Sequence, residues 1–420
     1  MRKALLTSLL ICLILSACSS AAPPSGGSGA RSELAGGAPA GGSGGGGTQV
    51  QSGVLTAGDV DDNLNFAAFQ RYLNTMLQSD SGQVLPAVSL ADRVTIRVVD
   101  VDGRPVSHAR VSVAGDSPAP LVESLAGADG VFYFFPAFDG AGTETRFTAR
   151  VSPPGSDGPS LALPFDLNAL GEARVLIAGL GEAISARPDA LDLMFVMDTT
   201  GSMGDEMQYL TTEFRDMVAA IHSAFPDVSM RFGLVVYRDI GDEYVVRAFD
   251  FTDSVDTMQQ QLERQAAGGG GDYPEAMEQA LSAAIERSWR AGNTARLLFL
   301  VADAPPHDEN LAAALDQAHL ARRQGLRIYP LAASGVADTA EYLMRIMAVA
   351  THSRHLFLTD DSGVGNEHAE PKVPCYVVTR LDQLLIRVIS AELSGQRVEP
   401  TPEQIIRSAG RIEGGACVDQ

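Results

Sequence analysis

Two patterns of apolar and polar residues follow one another along the chain, and each predicts a different kind of structure. Between residues 86 and 182, short β-branched and aromatic stretches partly alternate with polar residues and are separated by turns rich in Gly, Pro and Asp. Short strands at such spacing predict a small antiparallel β-sandwich of immunoglobulin-like type. Residues 188–395 instead alternate continuous apolar stretches with stretches of helical periodicity. This alternation predicts an α/β fold with a doubly wound, mostly parallel sheet.

The continuous apolar stretches of the second region predict strands that are buried on both faces of that sheet. They include LDLMFVM at 191–197, MRFGLVVY at 230–237, RLLFLVA at 296–302 and LRIYPLAA at 326–333, with HLFLT at 355–359 as the last strand. Helical spacing within 377–393 predicts a terminal helix, after which 396–420 form a tail. A further stretch with helical spacing, which includes Phe69 and Leu73, predicts one amphipathic helix in the segment 54–85.

The first 53 residues contain little that could form a core. Arg2 and Lys3 are followed by 14 uncharged residues, as in a signal peptide spanning 1–17 and too short for a transmembrane helix. Residues 18–53 are mainly Gly, Ser, Ala and Pro, so we expect a disordered tether. The residues Leu15-Ser16-Ala17-Cys18 resemble the lipobox of bacterial lipoproteins.

The lipobox resemblance implies cleavage before Cys18, acylation of that cysteine and attachment to a membrane of the bacterial cell envelope. The residue after it, Ser19, favours the outer membrane, with the folded part facing the periplasm or the cell surface. The alternative is an ordinary signal peptide with an incidental cysteine. The two remaining downstream cysteines, Cys375 and Cys417, predict one disulfide in an oxidising compartment. Two free thiols are the alternative.

The charged residues of the chain argue against some classes of partner and of chemistry. The chain carries 52 acidic and 31 basic residues, a formal net charge of −21. Such a chain is a poor ligand for a nucleic-acid backbone, so we expect no nucleic-acid partner. Lys3 and Lys372 are its only lysines, which disfavours chemistry that depends on lysine.

Acidic and hydroxyl side chains follow the predicted strands at the edge where α/β sheets bind ligands. Asp198 follows the strand at 191–197 and is itself followed by Thr200 and Ser202, and Asp303 follows the strand at 296–302. Gly268–Gly271 precede Asp272 directly before a predicted helix. Oxygen ligands of this kind suit Mg²⁺ best, with Mn²⁺ or Ca²⁺ as alternatives. The loop at 237–242 and His307 border the same edge, either as ligand contacts or as solvated residues.

The motifs DTTGSM, GGGGDYPEAM and LFLVADAPPH, each in this strand and helix context, resemble those of a von Willebrand factor A domain with a metal-ion-dependent adhesion site. The resemblance covers about 170 of the 420 residues. It implies one divalent cation held by Asp198, Thr200, Ser202, Asp272 and Asp303, and an open position for an Asp or Glu carboxylate of a protein partner. Thr200 stands where the family more often has Ser, and the acid at 272 adds negative charge to the site.

Two other functions remain as alternatives to partner binding. The domain could stay loaded with metal and serve as a structural scaffold of an envelope assembly. VMDTTGS also resembles the nucleophile strand of haloacid-dehalogenase phosphatases, with Asp198 as the nucleophile and Asp360 and Asp361 as the late acidic pair. That chemistry needs a second acid where Thr200 stands, and a lysine that is absent between residues 198 and 360. We therefore expect a binding protein and not an enzyme. A second cation at Asp360, Asp361 and Glu367 is a further alternative for that loop.

Overall fold

The computed structural model describes residues 53–156, 161–184, 187–333, 335–363 and 368–418. Seven α-helices lie in this part of the chain: α1 Phe66–Leu77, α2 Gly204–Ala224, α3 Val255–Glu263, α4 Met277–Ile285, α5 Leu311–Arg323, α6 Asp338–Ala350 and α7 Leu381–Ser394. The strands up to the start of the large domain are β1 Thr56–Val60, β2 Val94–Val99, β3 Arg110–Ala114, β4 Val122–Leu125, β5 Val131–Phe134, β6 Arg146–Ser152, β7 Leu161–Asp166 and β8 Val175–Gly179. The remaining strands are β9 Ala190–Asp198, β10 Ser229–Tyr237, β11 Val246–Thr252, β12 Thr294–Ala302, β13 Arg327–Ala332, β14 His355–Thr359, β15 Tyr376–Arg380, β16 Arg407–Ala409, β17 Ile412–Glu413 and β18 Ala416–Cys417.

A nine-stranded sheet with the order β11-β10-β9-β12-β13-β14-β1-β15-β16 forms the centre of the large domain. Its five middle strands, from β10 to β14, pair in parallel, whereas the strands on either side pair antiparallel. Every residue of β9 is buried, as its continuous apolar sequence predicts. The predicted fold class, an α/β domain with a doubly wound sheet beside a smaller β-domain, is confirmed.

Helices cover both faces of this sheet and enclose two apolar clusters. On one face, α2, α3 and α7 bury residues such as Phe214, Met258 and Leu385. On the other face, α1, α4, α5 and α6 bury residues such as Phe69, Leu281 and Met347. The apolar face predicted for α1 therefore packs on the large domain.

Strand β1 lies within the nine-stranded sheet, between β14 and β15. The helix predicted within 54–85 begins only at Phe66, and the residues Thr56–Val60 before it form this strand instead. A Cβ atom on Gly58 would lie 2.6 Å from the ring of Phe357, so the glycine permits close pairing with β14. Asp59 is buried in the strand and forms ion pairs with Arg354 and Arg387 at 3.0 and 3.1 Å. Partners 295 and 328 positions away stabilise this strand, which explains why its own sequence does not predict it.

The smaller β-domain consists of a three-stranded sheet, β5-β2-β8, and a four-stranded sheet, β4-β3-β6-β7. Their facing sides share one apolar core that includes Ile96, Phe132 and Phe147. One pair, β2 with β8, is parallel, where the sequence predicted an antiparallel sandwich throughout. The domain is joined to the large one by Asp139, whose carboxylate accepts hydrogen bonds of 2.8 and 2.9 Å from the buried guanidinium of Arg322 on α5.

The C-terminal residues are part of the large domain. Strand β15 occupies the first residues of the predicted 377–393 helix, and α7 begins after it at Leu381. Within the predicted tail 396–420, β16 adds to the sheet beside β15, and β17 pairs with β18 in a hairpin. Cys375 and Cys417 form a disulfide with their Cα atoms 5.6 Å apart.

The predicted signal peptide at 1–17, Cys18, Ser19 and all of the predicted tether except Gly53 lie outside the described residues, as does Glu367. Among the residues that are described, none of the helices combines the length and apolar character needed to cross a membrane.

Candidate metal centre

Asp198 and Asp303 are brought together by the two strands that they follow. β9 ends at Asp198, and β12 pairs with β9 in parallel up to Val301 opposite Met197. The carboxyl ends of both strands therefore meet at one edge of the sheet, where ligands of α/β proteins bind. The residues Asp198 and Asp303 are 0% and 5% exposed, so both carboxyl groups are largely removed from water.

Hydrogen bonds connect four of the five predicted ligands. The backbone nitrogen and the hydroxyl of Thr200 donate to Oδ1 of Asp198 at 2.8 and 2.7 Å. The Thr200 hydroxyl lies 3.4 Å from that of Ser202, and the Ser202 side chain is hydrogen-bonded to Asp303. Two oxygens of this group, Oδ2 of Asp198 and Oδ1 of Asp303, are buried without a hydrogen-bond donor among the described residues. Buried carboxylate oxygens without donors are costly unless a cation pairs with them, so the residues fit a divalent ion.

The glycine-rich loop packs directly against these residues. The nitrogen of Gly268 donates to the carbonyl of Thr199 at 3.1 Å, and the carbonyl of Gly269 accepts from the nitrogen of Gly201 at 3.3 Å. Gly269 and Gly270 have φ values of +81° and +74°, a backbone conformation that residues with a Cβ atom rarely adopt. A Cβ atom on Gly270 would also lie 3.1 Å from Cβ of Thr200. The glycines thus provide both the turn and the close approach.

Asp272, the fifth predicted ligand, is exposed and makes none of the hydrogen bonds that connect the other four. It lies instead beside Asp239 and His307, and one ligand atom from each of the three lies within 4.8 Å of the others. Nε2 of His307 is 2.8 Å from Oδ1 of Asp239. The structure therefore places Asp272 in a neighbouring group, which also contains two of the residues that the sequence left open as ligand contacts.

Glu275 is a buried acid at this edge that the sequence pattern does not single out as a ligand. Glu275 is 3% exposed, and its Oε2 has no hydrogen-bond partner among the described residues. Its Oε1 lies 3.0 Å from the position that a Cβ atom on Gly270 would take. The one feature of the sequence that points to Glu275 as a ligand is its place three residues after Asp272, at the start of a predicted helix. A glutamate there is equally typical of a solvated first turn.

Burial and mutual repulsion raise the pKa values of the carboxyl groups at this edge. Burial, followed by the charge of Asp303, raises the pKa of Asp198 to about 7. Burial and the charges of Asp198, Asp239, Asp242 and Asp303 raise the pKa of Glu275 to about 9. Burial also raises the pKa of Asp303. A bound cation would reverse these shifts, because it stabilises the ionised forms.

Several other residues at this edge hold the loops in place. The guanidinium of Arg238 donates to the carbonyls of Thr199 and Ala266 at 3.1 and 2.7 Å. Oδ2 of Asp242 accepts from the backbone nitrogen of Gly270 at 3.0 Å. The hydroxyl of Tyr273 donates to the carbonyl of Asp303 at 2.9 Å. Arg238 and Asp242, which the sequence left open as ligand contacts, thus bind the backbone.

Asp360 and Asp361, the acids that follow β14, both form hydrogen bonds with other side chains. Asp360 lies 2.8 Å from Nδ1 of His368, whose ring is almost completely buried. Asp361 accepts two hydrogen bonds, of 2.8 and 3.0 Å, from Arg407 on β16. Both acids therefore have hydrogen-bond partners within the described chain.

Comparison with known proteins assigns part of the chain to a family. Residues 192–358 match the family model of the von Willebrand factor A domain, so the chain contains such a domain. This is the family whose motifs the sequence resembles, and its limits enclose Asp198, Thr200, Ser202, Asp272 and Asp303.

Several larger proteins contain a similar segment. Human von Willebrand factor A domain-containing protein 7 is 32% identical over 134 residues, or 32% of this chain and 14% of that protein. The alpha-protein kinase vwkA of Dictyostelium discoideum is 27% identical over 120 residues, or 28% of this chain and 19% of that one. A putative ariadne-like RING finger protein of Acanthamoeba polyphaga mimivirus is 30% identical over 122 residues, which are 29% of this chain and 12% of that protein. The chain thus spans less than a fifth of each of these relatives.

Among solved structures, a conserved hypothetical protein, BatB, from Bacteroides thetaiotaomicron aligns with a TM-score of 0.28 and 12% identity. The alignment covers 51% of this chain and 92% of that one.

Proposed function

We propose that the von Willebrand factor A domain of this chain binds a protein partner through one divalent cation, and that a lipid anchor holds it in the bacterial cell envelope. One observation carries the first part of the proposal. Asp198, Thr200, Ser202 and Asp303 converge at the carboxyl edge of the sheet, and two of their carboxylate oxygens are buried without a proton donor in the described chain. Such an arrangement is unfavourable until a cation neutralises it.

These four residues would hold the ion, with Asp272 or Glu275 as the acid supplied by the glycine-rich loop. Carboxylate and hydroxyl oxygens favour Mg²⁺, with Mn²⁺ or Ca²⁺ as alternatives. The bound ion would supply a coordination position that an Asp or Glu carboxylate of the partner can take. The protein's own residues fix the donor oxygens in advance, because Thr200 is hydrogen-bonded to Asp198 and packed against the glycine-rich loop.

The anchor is supported by the sequence alone. The lipobox-like residues before Cys18 support acylation of that cysteine, and Ser19 supports the outer membrane. Metabolic labelling with a radioactive fatty acid would test this directly. Label on the wild-type protein and none on Cys18→Ala supports the anchor, and equal labelling of the two overturns it.

The metal site is tested by calorimetric titration of Mg²⁺, Mn²⁺ and Ca²⁺ into the protein. The wild type should bind Mg²⁺ saturably, whereas Asp198→Asn and Thr200→Ala should lose that binding. Asp216→Asn is the matched control, because Asp216 is an exposed acid on α2 outside the site. Capture of a partner in Mg²⁺ but not in EDTA would extend the result to the proposed function. Unchanged Mg²⁺ binding by both site variants would overturn it.

A static scaffold is the second candidate function, and the position of α7 favours it. Asp59 on β1 pairs with Arg387 on α7, and the carbonyl of Leu55 accepts from the nitrogen of Leu381 at the helix start. These contacts fix α7 to the sheet, as expected for a domain that serves as a scaffold without changing its conformation. Partner binding that survives EDTA would support the scaffold over the metal-dependent function.

We further propose that the chain is not an enzyme. The departure of Thr200 from the phosphatase pattern and the missing lysine support this proposal. Release of phosphate from a phosphoester at a rate that Asp198→Asn abolishes would overturn it.

A further inference from the structure

The group formed by Asp239, Asp272 and His307 differs in chemistry from the first centre, because it contains an imidazole. One ligand atom from each residue lies within 4.8 Å of the other two. Their environments differ: Asp239 is buried, His307 is half-buried and Asp272 is exposed. Three ligands around a point that remains open to solvent are typical of sites that keep coordination positions for water or a further ligand.

The distance between Asp239 and His307 suits two ligands of one ion. Oδ1 of Asp239 lies 2.8 Å from Nε2 of His307. Two ligand atoms bound at about 2.1 Å lie about 3.0 Å apart at right angles and about 3.4 Å apart at the tetrahedral angle that Zn²⁺ prefers. A cation can therefore take the place of the proton between this pair once the two side chains separate and turn slightly, and Asp272 is close enough to supply a third ligand.

A buried acid next to this group lacks a partner for one of its oxygens. Glu278 on α4 is 8% exposed, and its Oε1 accepts a hydrogen bond from Asn310 at 3.1 Å. Its Oε2 has no hydrogen-bond partner among the described residues, and its charge interacts with those of His307 and Asp239. This oxygen is independent of the three ligands. Asn310, which binds the other oxygen of Glu278, also donates its backbone nitrogen to the carbonyl of His307 at 2.7 Å, so the unpartnered acid lies beside the element that carries His307.

We propose that Asp239, Asp272 and His307 form a second cation site, which takes a first-row transition ion such as Zn²⁺ or Co²⁺. Imidazole together with carboxylates suits these ions, whereas the first centre offers only oxygen ligands that suit Mg²⁺. Asp272 would then serve the second ion, and Glu275 would be the loop acid of the first. The two sites would share the glycine-rich loop, so that one edge of the sheet would carry two different ions.

Titration with Co²⁺ in the presence of excess Mg²⁺ tests this site separately from the first. The wild type should bind one Co²⁺ per chain with visible absorption and with a shifted proton resonance from the bound imidazole. His307→Gln should lose that resonance and bind Co²⁺ at least about 100-fold more weakly, since even residues that only support a ligand contribute 10–100-fold. Asp272→Asn, which alters an exposed side chain, should also weaken binding. His222→Gln, which alters an exposed histidine on α2, is the matched control and should change nothing.

The two sites fail in distinguishable ways. Asp198→Asn should abolish Mg²⁺ binding and leave Co²⁺ bound at His307, and His307→Gln should do the reverse. Co²⁺ binding that is unchanged in both His307→Gln and Asp272→Asn would overturn the second site. Loss of Co²⁺ binding in Asp198→Asn would also overturn it, because the ion would then occupy only the first centre.

Discussion

Asp59 on the first strand and Arg387 on the last long helix form an ion pair of 3.1 Å, although 328 positions separate them in the chain. Arg354 contacts the other oxygen of the same carboxylate at 3.0 Å, and all three side chains are at least nine-tenths buried. Burial by itself would raise the pKa of Asp59, but the guanidinium groups of Arg387 and Arg354 hold it well below its usual range. The two ends of the folded chain are thus joined through one buried acid.

Replacement of Asp59 by Asn should therefore destabilise the protein strongly. Two buried guanidinium groups would lose their charged partner, and breaking such pairs reduces the free energy of unfolding by about 3–5 kcal/mol. Urea unfolding of the variant and of the exposed control Asp216→Asn measures this loss. A difference below about 1 kcal/mol would show that water or Asp61 replaces Asp59 as the partner of these arginines.

Metal-free protein should lose stability as the pH rises from about 4 to about 7. The pKa of Asp198 is raised from 3.8 to about 7, so over this range the folded state holds a proton that the unfolded state has released. The raised pKa of Glu275, about 9, extends the loss to higher pH. Thermal melts of the wild type and of Asp198→Asn between pH 5 and pH 8 in EDTA test this. The wild type should show the steeper fall, and parallel curves would contradict the raised pKa of Asp198.

Mg²⁺ affinity should rise over the same pH range, since a protonated Asp198 has to release its proton before it can bind an ion. Between pH 6 and pH 7 the dissociation constant should fall by up to about tenfold for each proton released. Calorimetric titrations in buffers of different ionisation enthalpy measure the number of protons. An affinity that does not change with pH would mean that this carboxyl is ionised before the metal arrives.

Gly269→Ala should weaken Mg²⁺ binding, and Gly271→Ala should not. The first position has a φ of +81°, and an added Cβ atom would lie 2.4 Å from the carboxylate oxygens of Asp242. The loop would have to shift, or Asp242 would have to release the backbone nitrogen of Gly270, and such a change in a supporting residue reduces metal affinity by about 10–100-fold. At Gly271 an added Cβ atom meets nothing within 4 Å, which makes it the matched control. Equal affinities of the two variants would exclude a supporting role for the loop.

Removal of the disulfide should destabilise the protein without affecting the metal centre. Cys375 and Cys417 are 42 positions apart, and closing a loop of that length stabilises a folded chain by about 4 kcal/mol in the loop-entropy model. The double variant Cys375→Ser/Cys417→Ser should therefore melt at a lower temperature and still bind Mg²⁺ with unchanged affinity. A melting temperature equal to that of the oxidised wild type would show that non-covalent contacts, such as the pairing of β16 with β15, are sufficient to hold the C-terminal residues.

Continuous apolar strands and the residues that end them were predictable from the sequence. β9 and β12 are recognisable because they are buried on both faces, and the parallel arrangement then places Asp198 and Asp303 at one edge. β1 was not predictable, because its sequence TAGDV contains a charged residue and a glycine that only distant partners explain. The separation of Asp272 from the other acids, and the burial of Glu275 in its place, depend on how the loop turns at Gly269 and Gly270. Sequence spacing does not fix such a turn.

The direction of β1 also determines where the chain enters the large domain. β1 runs antiparallel to β14, with Thr56 opposite Thr359, so its first residue lies at the carboxyl edge of the parallel strands, the edge of the candidate metal centre. The chain that precedes Thr56 therefore joins the large domain on the side of Asp198 and Asp303. If Cys18 carries the proposed anchor, the anchor is connected to the domain on its candidate ligand-binding side and not on the opposite side of the sheet.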